Sequence, residues 1–235
     1  MSHLIRFVAL LALTLTALVG CEKVEFQSPP SWPLEQCNSR FVGDWRVEDA
    51  QSPNQSDEQM YIRVAAECVS WLGVEVDGSD PTQVKVEDMQ AEMSLRFARS
   101  ANHEFVVTRE QADPKQTDPA AKPEGYVLAS FELVDEVLEL RLLDPAKTAH
   151  LIIDGVVPGW VEKRDRAPDG SLDPYAKRFD IYVFGDPEQT KQLLDSHVPD
   201  LLEPVWLRLH RVDAHTSEQI SAWTADGPTK PANKP

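Results

Sequence analysis

The sequence predicts a mainly β fold, an antiparallel β-barrel or strongly curved sheet with two short helices in its C-terminal half. Three observations carry that expectation. Apolar and polar residues alternate with period two in frequent runs along the chain, the pattern of half-buried strands, and few helical windows appear. Turn clusters such as Asp77-Gly78-Ser79-Asp80-Pro81 separate the alternating runs. The clear helix starts are Asp144-Pro145 and Asp186-Pro187, each an N-cap acid followed by proline at the first helical position.

The N-terminus is of another kind. Residues 1–6 are a short leader ending in Arg6, and residues 7–19 are apolar apart from Thr14 and Thr16. A membrane-crossing helix needs about 20 apolar residues. The shorter run has the length of a secretory signal's apolar region. It ends in Leu18-Val19-Gly20-Cys21, which resembles the lipobox of bacterial lipoproteins. That resemblance implies cleavage before Cys21 and acyl chains, palmitate among them, on its sulfur and amino group. Two or more chains anchor stably where one does not. It also implies a place in the bacterial cell envelope. Glu22, where aspartate would favour inner-membrane retention, points to the periplasmic face of the outer membrane.

Residues 21–36 read as the lipidated Cys21 followed by a tether, with Pro29, Pro30 and Pro33 beside Ser28 and Ser31. A single β-rich domain is expected over 37–212. Its first strand alternates Phe41, Gly43, Trp45 and Val47 with Asp44, Arg46 and Glu48. Residues 60–76 keep one parity apolar for so long that a single strand would exceed about 50 Å, so a bend or bulge is expected near 68–73. A hairpin follows, from Met89–Phe97 to residues 104–109 about the turn at 100–103. Residues 110–124 are Pro- and Lys-rich and read as a long loop. Residues 125–133 and 137–143 form strands about Asp135-Glu136.

The first helix begins at Asp144 and stops at Gly155. Strands are expected over 156–163 and 178–184, the latter after a turn-rich loop at 165–175. The second helix starts at Asp186, with Gln189 as capping-box partner. Pro199 should end it near His197. Residues 205–212 are the last strand, and residues 213–235 read as a disordered tail.

Removal of residues 1–20 takes away Arg6 and no acid, leaving 22 basic against 39 acidic side chains, a net charge of −17. Such a surface repels phosphate backbones, which argues against nucleic acid as a partner. Once Cys21 carries lipid, Cys37 and Cys68 are the remaining thiols. In an oxidising envelope such a pair forms a disulfide, the alternative being two buried thiols.

Gly43-x-Trp45 on the first strand, with Arg211 on the last, resembles the lipocalins and related calycin barrels. There the tryptophan closes one end of the barrel under an arginine from the final strand, so the resemblance implies that role for Trp45 and Arg211. Arg208 also lies on the last strand, but Arg211 shares its parity with Val205, Leu207 and Leu209. The resemblance covers the two ends of the domain, so another antiparallel β fold with helical insertions fits as well.

The search for chemistry yields no catalytic residues and no cofactor. There is no Gly-x-Ser-x-Gly, no His-Glu-x-x-His and no glycine-rich phosphate loop. His210, Asp213 and His215 have a ligand-like spacing but read as polar residues at a chain end. Asp165, Asp169, Gly170 and Asp173 have Ala167 where a calcium loop needs an oxygen ligand. No metal is assigned. The expectation is a lipid-anchored module that binds a small apolar ligand or an envelope protein. The alternatives are an envelope hydrolase using acidic residues and a structural or assembly lipoprotein.

Overall fold

The computed structural model describes residues 23–51, 58–80, 82–89, 95–100, 102–109, 125–163, 179–225 and 227. The fold is mainly β, with twelve strands and three α-helices among those residues. The lipobox, the loop at 110–124 and the acidic loop at 165–173 lie outside them.

The described chain divides into two compact units. One draws on residues 23–31, 125–128 and 142–203, the other on 32–109, 129–141 and 204–227. In the first unit, β1 (Lys23–Phe26) lies parallel to β11 (Phe179–Val183) and antiparallel to β8 (Tyr126–Val134). The parallel pair makes the sheet mixed, where an antiparallel one was expected. β10 (Gly159–Lys163) pairs the other edge of β11. Residues 23–36, expected as a tether, are thus bonded into the fold: the Ser31 amide donates to Pro187 O at 2.9 Å, and Glu35 bridges Phe97.

Two helices belong to this unit. α1 (Pro145–Ile153) is capped by Asp144 and ends at Gly155, whose φ of +71° is the left-handed stop that glycine supplies. α2 (Pro187–Leu201) opens with the full Asp186/Gln189 capping box. It runs past Pro199 rather than stopping near His197. Val198 and Leu201 are buried, and the Asp144 amide donates to Leu201 O at 2.7 Å, so tertiary packing keeps the last turn.

The second unit contains β2 (Gly43–Asp49), β3 (Glu58–Val64), β4 (Trp71–Asp77), β5 (Val84–Asp88), β6 (Arg96–Arg99), β7 (Glu104–Arg109), most of β9 (Val137–Leu142) and β12 (Leu207–Arg211), with the later part of β8. The spatial order is β5-β4-β3-β2-β12-β9-β8-β7-β6, so the last strand returns beside β2. Strands lie about 4.8 Å apart, so β4 and β8, five places apart, would be about 24 Å apart in a flat sheet. Yet the Phe41 ring lies 5.6 Å from Trp71 on β4 and 4.9 Å from Phe131 on β8. Phe97 on β6, at the far end of the order, lies 6.1 Å from Trp71. The sheet therefore curls around these aromatics. Among the described residues no ladder joins β5 to β6, so the sheet is strongly curved and the barrel is not closed.

Residues 60–76 form a β3–β4 hairpin instead of one bent strand. Its turn includes a short 3-10 segment, Ala66–Cys68, with Glu67 and Cys68 at φ +58° and +54°. Asp135 and Glu136, both at positive φ, make the two-residue β8–β9 turn. A third helix, α3 (Ala214–Trp223), occupies the start of the expected tail. Its Ile220 is fully buried with Tyr61, Val74, Val76 and Val86 on the convex face of the sheet.

Candidate binding face

Direct cross-strand partners point to the same face of a sheet. Trp45 pairs Ile62 and Arg211; Val47 pairs Met60 and Leu209; Leu209 and Leu207 pair Leu138 and Leu140. Trp71, paired with Val64, shares that face, so it is the concave one around which the sheet curls. Its lining changes steadily along the strands.

One end is filled. Phe41, Trp45, Val64, Trp71, Phe97, Phe131, Leu138 and Leu209 are all buried there. The Trp45 indole N–H donates to Phe41 O at 2.6 Å. The Arg211 guanidinium lies 4.2 Å from the Trp45 ring centroid, and its Nη1 donates to Val42 O at 3.3 Å. The structure thus brings the two residues singled out from the sequence into contact. The short 3-10 segment Ser39–Phe41, capped by the Asn38 side chain, delivers Phe41 into this end. Cys37, just before it, forms the expected disulfide with Cys68 in the β3–β4 turn, with an S–S length of 2.05 Å and a Cα separation of 5.2 Å.

Further along the same face, Val47, Met60, Ile62, Leu140 and Leu207 are only partly covered. Beyond them it becomes charged: Met60 pairs Glu75, Glu75 pairs Lys85, and the Lys85 ammonium also pairs Glu87. Singly, partly covered aliphatic side chains are ordinary; here five adjoin one another on one face, and a contiguous apolar patch is what marks a binding surface.

Outside the filled end, Arg40 stacks over Phe131 at 5.2 Å and pairs with Glu104, which also accepts from Arg99 at 2.6 Å. Burial would raise the Glu104 pKa, but the hydrogen bonds and charges of the two arginines prevail and hold it below the usual carboxylate range. A carboxylate kept ionised in this way is a poor proton donor. Glu35, Cys37, Arg40, Val42, Glu67 and Arg99 are among the residues lining an open depression of about 540 Å³ nearby.

The other candidates do not assemble. His210 Nε2 lies 3.1 Å from Glu48 Oε2. Asp213 accepts from the Thr216 amide as the α3 N-cap, and His215 meets Gln219. Sequence reasoning missed the bidentate Asp44–Arg63 pair, both bonds 2.7 Å. The signal available was their outward parity on adjacent strands. No protein-family model matches the chain, and neither a curated protein nor a solved structure does.

Proposed function

We propose that this chain is a bacterial lipoprotein, anchored through acylated Cys21 to the periplasmic face of the outer membrane, whose β-rich second unit binds a small apolar ligand without transforming it. The observation that carries the ligand reading is the gradient along one concave face. A packed aromatic end, a half-covered aliphatic zone and a charged rim follow one another on shared register positions. An apolar molecule seated on Val47, Met60, Ile62, Leu140 and Leu207 would bury apolar surface at about 25 cal/mol per Å². Its inner end would abut the Trp45 side of the filled core. The Gly43-x-Trp45 and Arg211 resemblance supports the same reading, since in calycins that end is the closed one.

Native mass spectrometry of residues 22–235, purified gently from the periplasm, tests it. The expected outcome is a reproducible extra mass that is lost on denaturation. Val47→Asp, which places a charge in the aliphatic zone, should lower that occupancy at least tenfold while leaving the fold intact. A bare chain mass in repeated preparations would overturn the carrier reading in favour of an envelope protein as the partner.

A further inference from the structure

We propose that the end of the first unit's sheet bearing Lys23 lies directly against the phospholipid surface, with no flexible spacer between lipid and fold. The proposal rests on the lipoprotein reading above and adds to it the surface that meets the membrane.

Lys23, the first residue of β1, is two residues from Cys21. Two Cα–Cα steps of 3.80 Å keep the lipidated residue within about 7.6 Å of the strand. β1 is not a free arm. It lies inside the sheet, paired with β11 from Lys23↔Asp180 to Phe26↔Val183 and with β8 through Glu25↔Val127. Val24 and Phe26 are buried at 4% and 0% exposure. The chain beyond stays bonded, the Gln27 amide donating to Val183 O at 2.9 Å. Detaching β1 as a tether would break two ladders and pull both side chains from the core.

The two ends of this sheet differ. Antiparallel β10 brings Glu162 beside Asp180 at the Lys23 end and Gly159 beside Val183 at the other. Past the far end lie Ile153, Val156 and Phe184, exposed at 70%, 54% and 39%. Position 184 is four residues beyond Asp180, about 13 Å along the strand at roughly 3.3 Å per residue. Hydrophobicity alone would turn Ile153, Val156 and Phe184 to the bilayer; the short link from Cys21 selects the opposite end. Because the chain is acidic, the contact depends on acyl chains and not on charge, so added salt should not release it.

The test uses the full mature lipidated chain in vesicles of phosphatidylethanolamine and phosphatidylglycerol that carry a headgroup nitroxide as short-range quencher. A fluorophore is attached to a thiol introduced by Glu162→Cys or by Phe184→Cys, with the native disulfide left oxidised. Quenching should be at least twofold stronger from 162 than from 184, and unchanged by salt. A ten-residue Gly-Ser spacer inserted after Glu22 should abolish that difference. Equal quenching at both positions in the unspaced protein, or stronger quenching at 184, overturns the proposal. Lys163→Cys replaces Glu162→Cys if that variant fails to fold. A chain that never binds vesicles, and whose membrane fractionation Cys21→Ser leaves unaltered, overturns the lipoprotein reading itself, a result distinct from a bound chain with no difference between labels.

Discussion

Gly43 lets Trp45 and Arg211 meet. Its φ is +124°, a region side-chain-bearing residues rarely adopt, and a Cβ there would sit 2.6 Å from Arg211 Nη1. The guanidinium is the mobile end of its side chain, so Gly43→Ala would push it off the indole as well as straining the backbone. Strain of this kind costs about 1–3 kcal/mol, and loss of a desolvated cation–π contact about 1–2 kcal/mol. Gly43→Ala and Arg211→Ala should therefore be less than additive, since the second removes what the first displaces. Denaturant midpoints of the two variants and their double mutant measure this; strict additivity would show that the Nη1 contact carries no energy. Trp45 and Arg211 were legible through the resemblance to calycin barrels, with parity choosing Arg211 over Arg208. The sequence could not show why Gly43 must be glycine, since a positive φ leaves no trace in an alternating pattern.

At the level of elements, α3 depends on a charged pair beneath it. Arg63 on β3 grips Asp44 on β2 through Nε and Nη2; Nη2 also lies 3.1 Å from Ser217 O and 2.8 Å from Ser221 Oγ, and Nη1 donates to Thr224 Oγ1 at 3.0 Å. The Ser217 hydroxyl donates to the same Asp44 carboxylate. Burial would raise the Asp44 pKa, but the bonds from Arg63 and Ser217 and the charges of Arg63 and Arg211 prevail and lower it from 3.8. A depressed folded-state pKa contributes stability that is present above the unfolded value and lost as pH falls through the folded one. The docking of α3 should therefore weaken below pH 3.8. Trp223, 6.1 Å from Tyr61, can report that change by fluorescence. Asp44→Asn should be less stable at neutral pH and lack the acid-side transition, and an unaltered transition would assign it to other carboxylates. The starts of α1 and α2 were legible because caps are local chemistry. α3 was not: Asp213 caps it with no proline after it, and its packing rests on Ile220 and Trp223, too few apolar residues for a periodic signal. For the same reason Pro199 misled, because what overrides it is burial set by distant residues.

On the scale of the molecule, pairings between distant segments were the least legible. Lys23 and Asp180 are neighbours only because β1 and β11 run parallel, and no local pattern encodes that ladder. Alternation did predict the curved sheet, since inward parity on successive strands needs an inside to face. The two cysteines could be paired by elimination, and their position gives the bond a defined reach. Both lie in the second unit, and the bond spans a sequence separation of 31 residues. The chain-entropy account values such a loop at about 3–4 kcal/mol, through the unfolded chain. It ties the segment that inserts Phe41 to the β3–β4 turn, so reduction should loosen the filled end of the concave face first. Hydrogen exchange with and without reductant measures this directly. The Trp45 and Ile62 amides should exchange at least tenfold faster after reduction, while those of Val24 and Ile181 in the first unit keep their rates. The contrast follows from loop closure acting on one unit's unfolded ensemble. Equal acceleration in both ladders would mean that the two units open together, and the bond would then stabilise the whole chain.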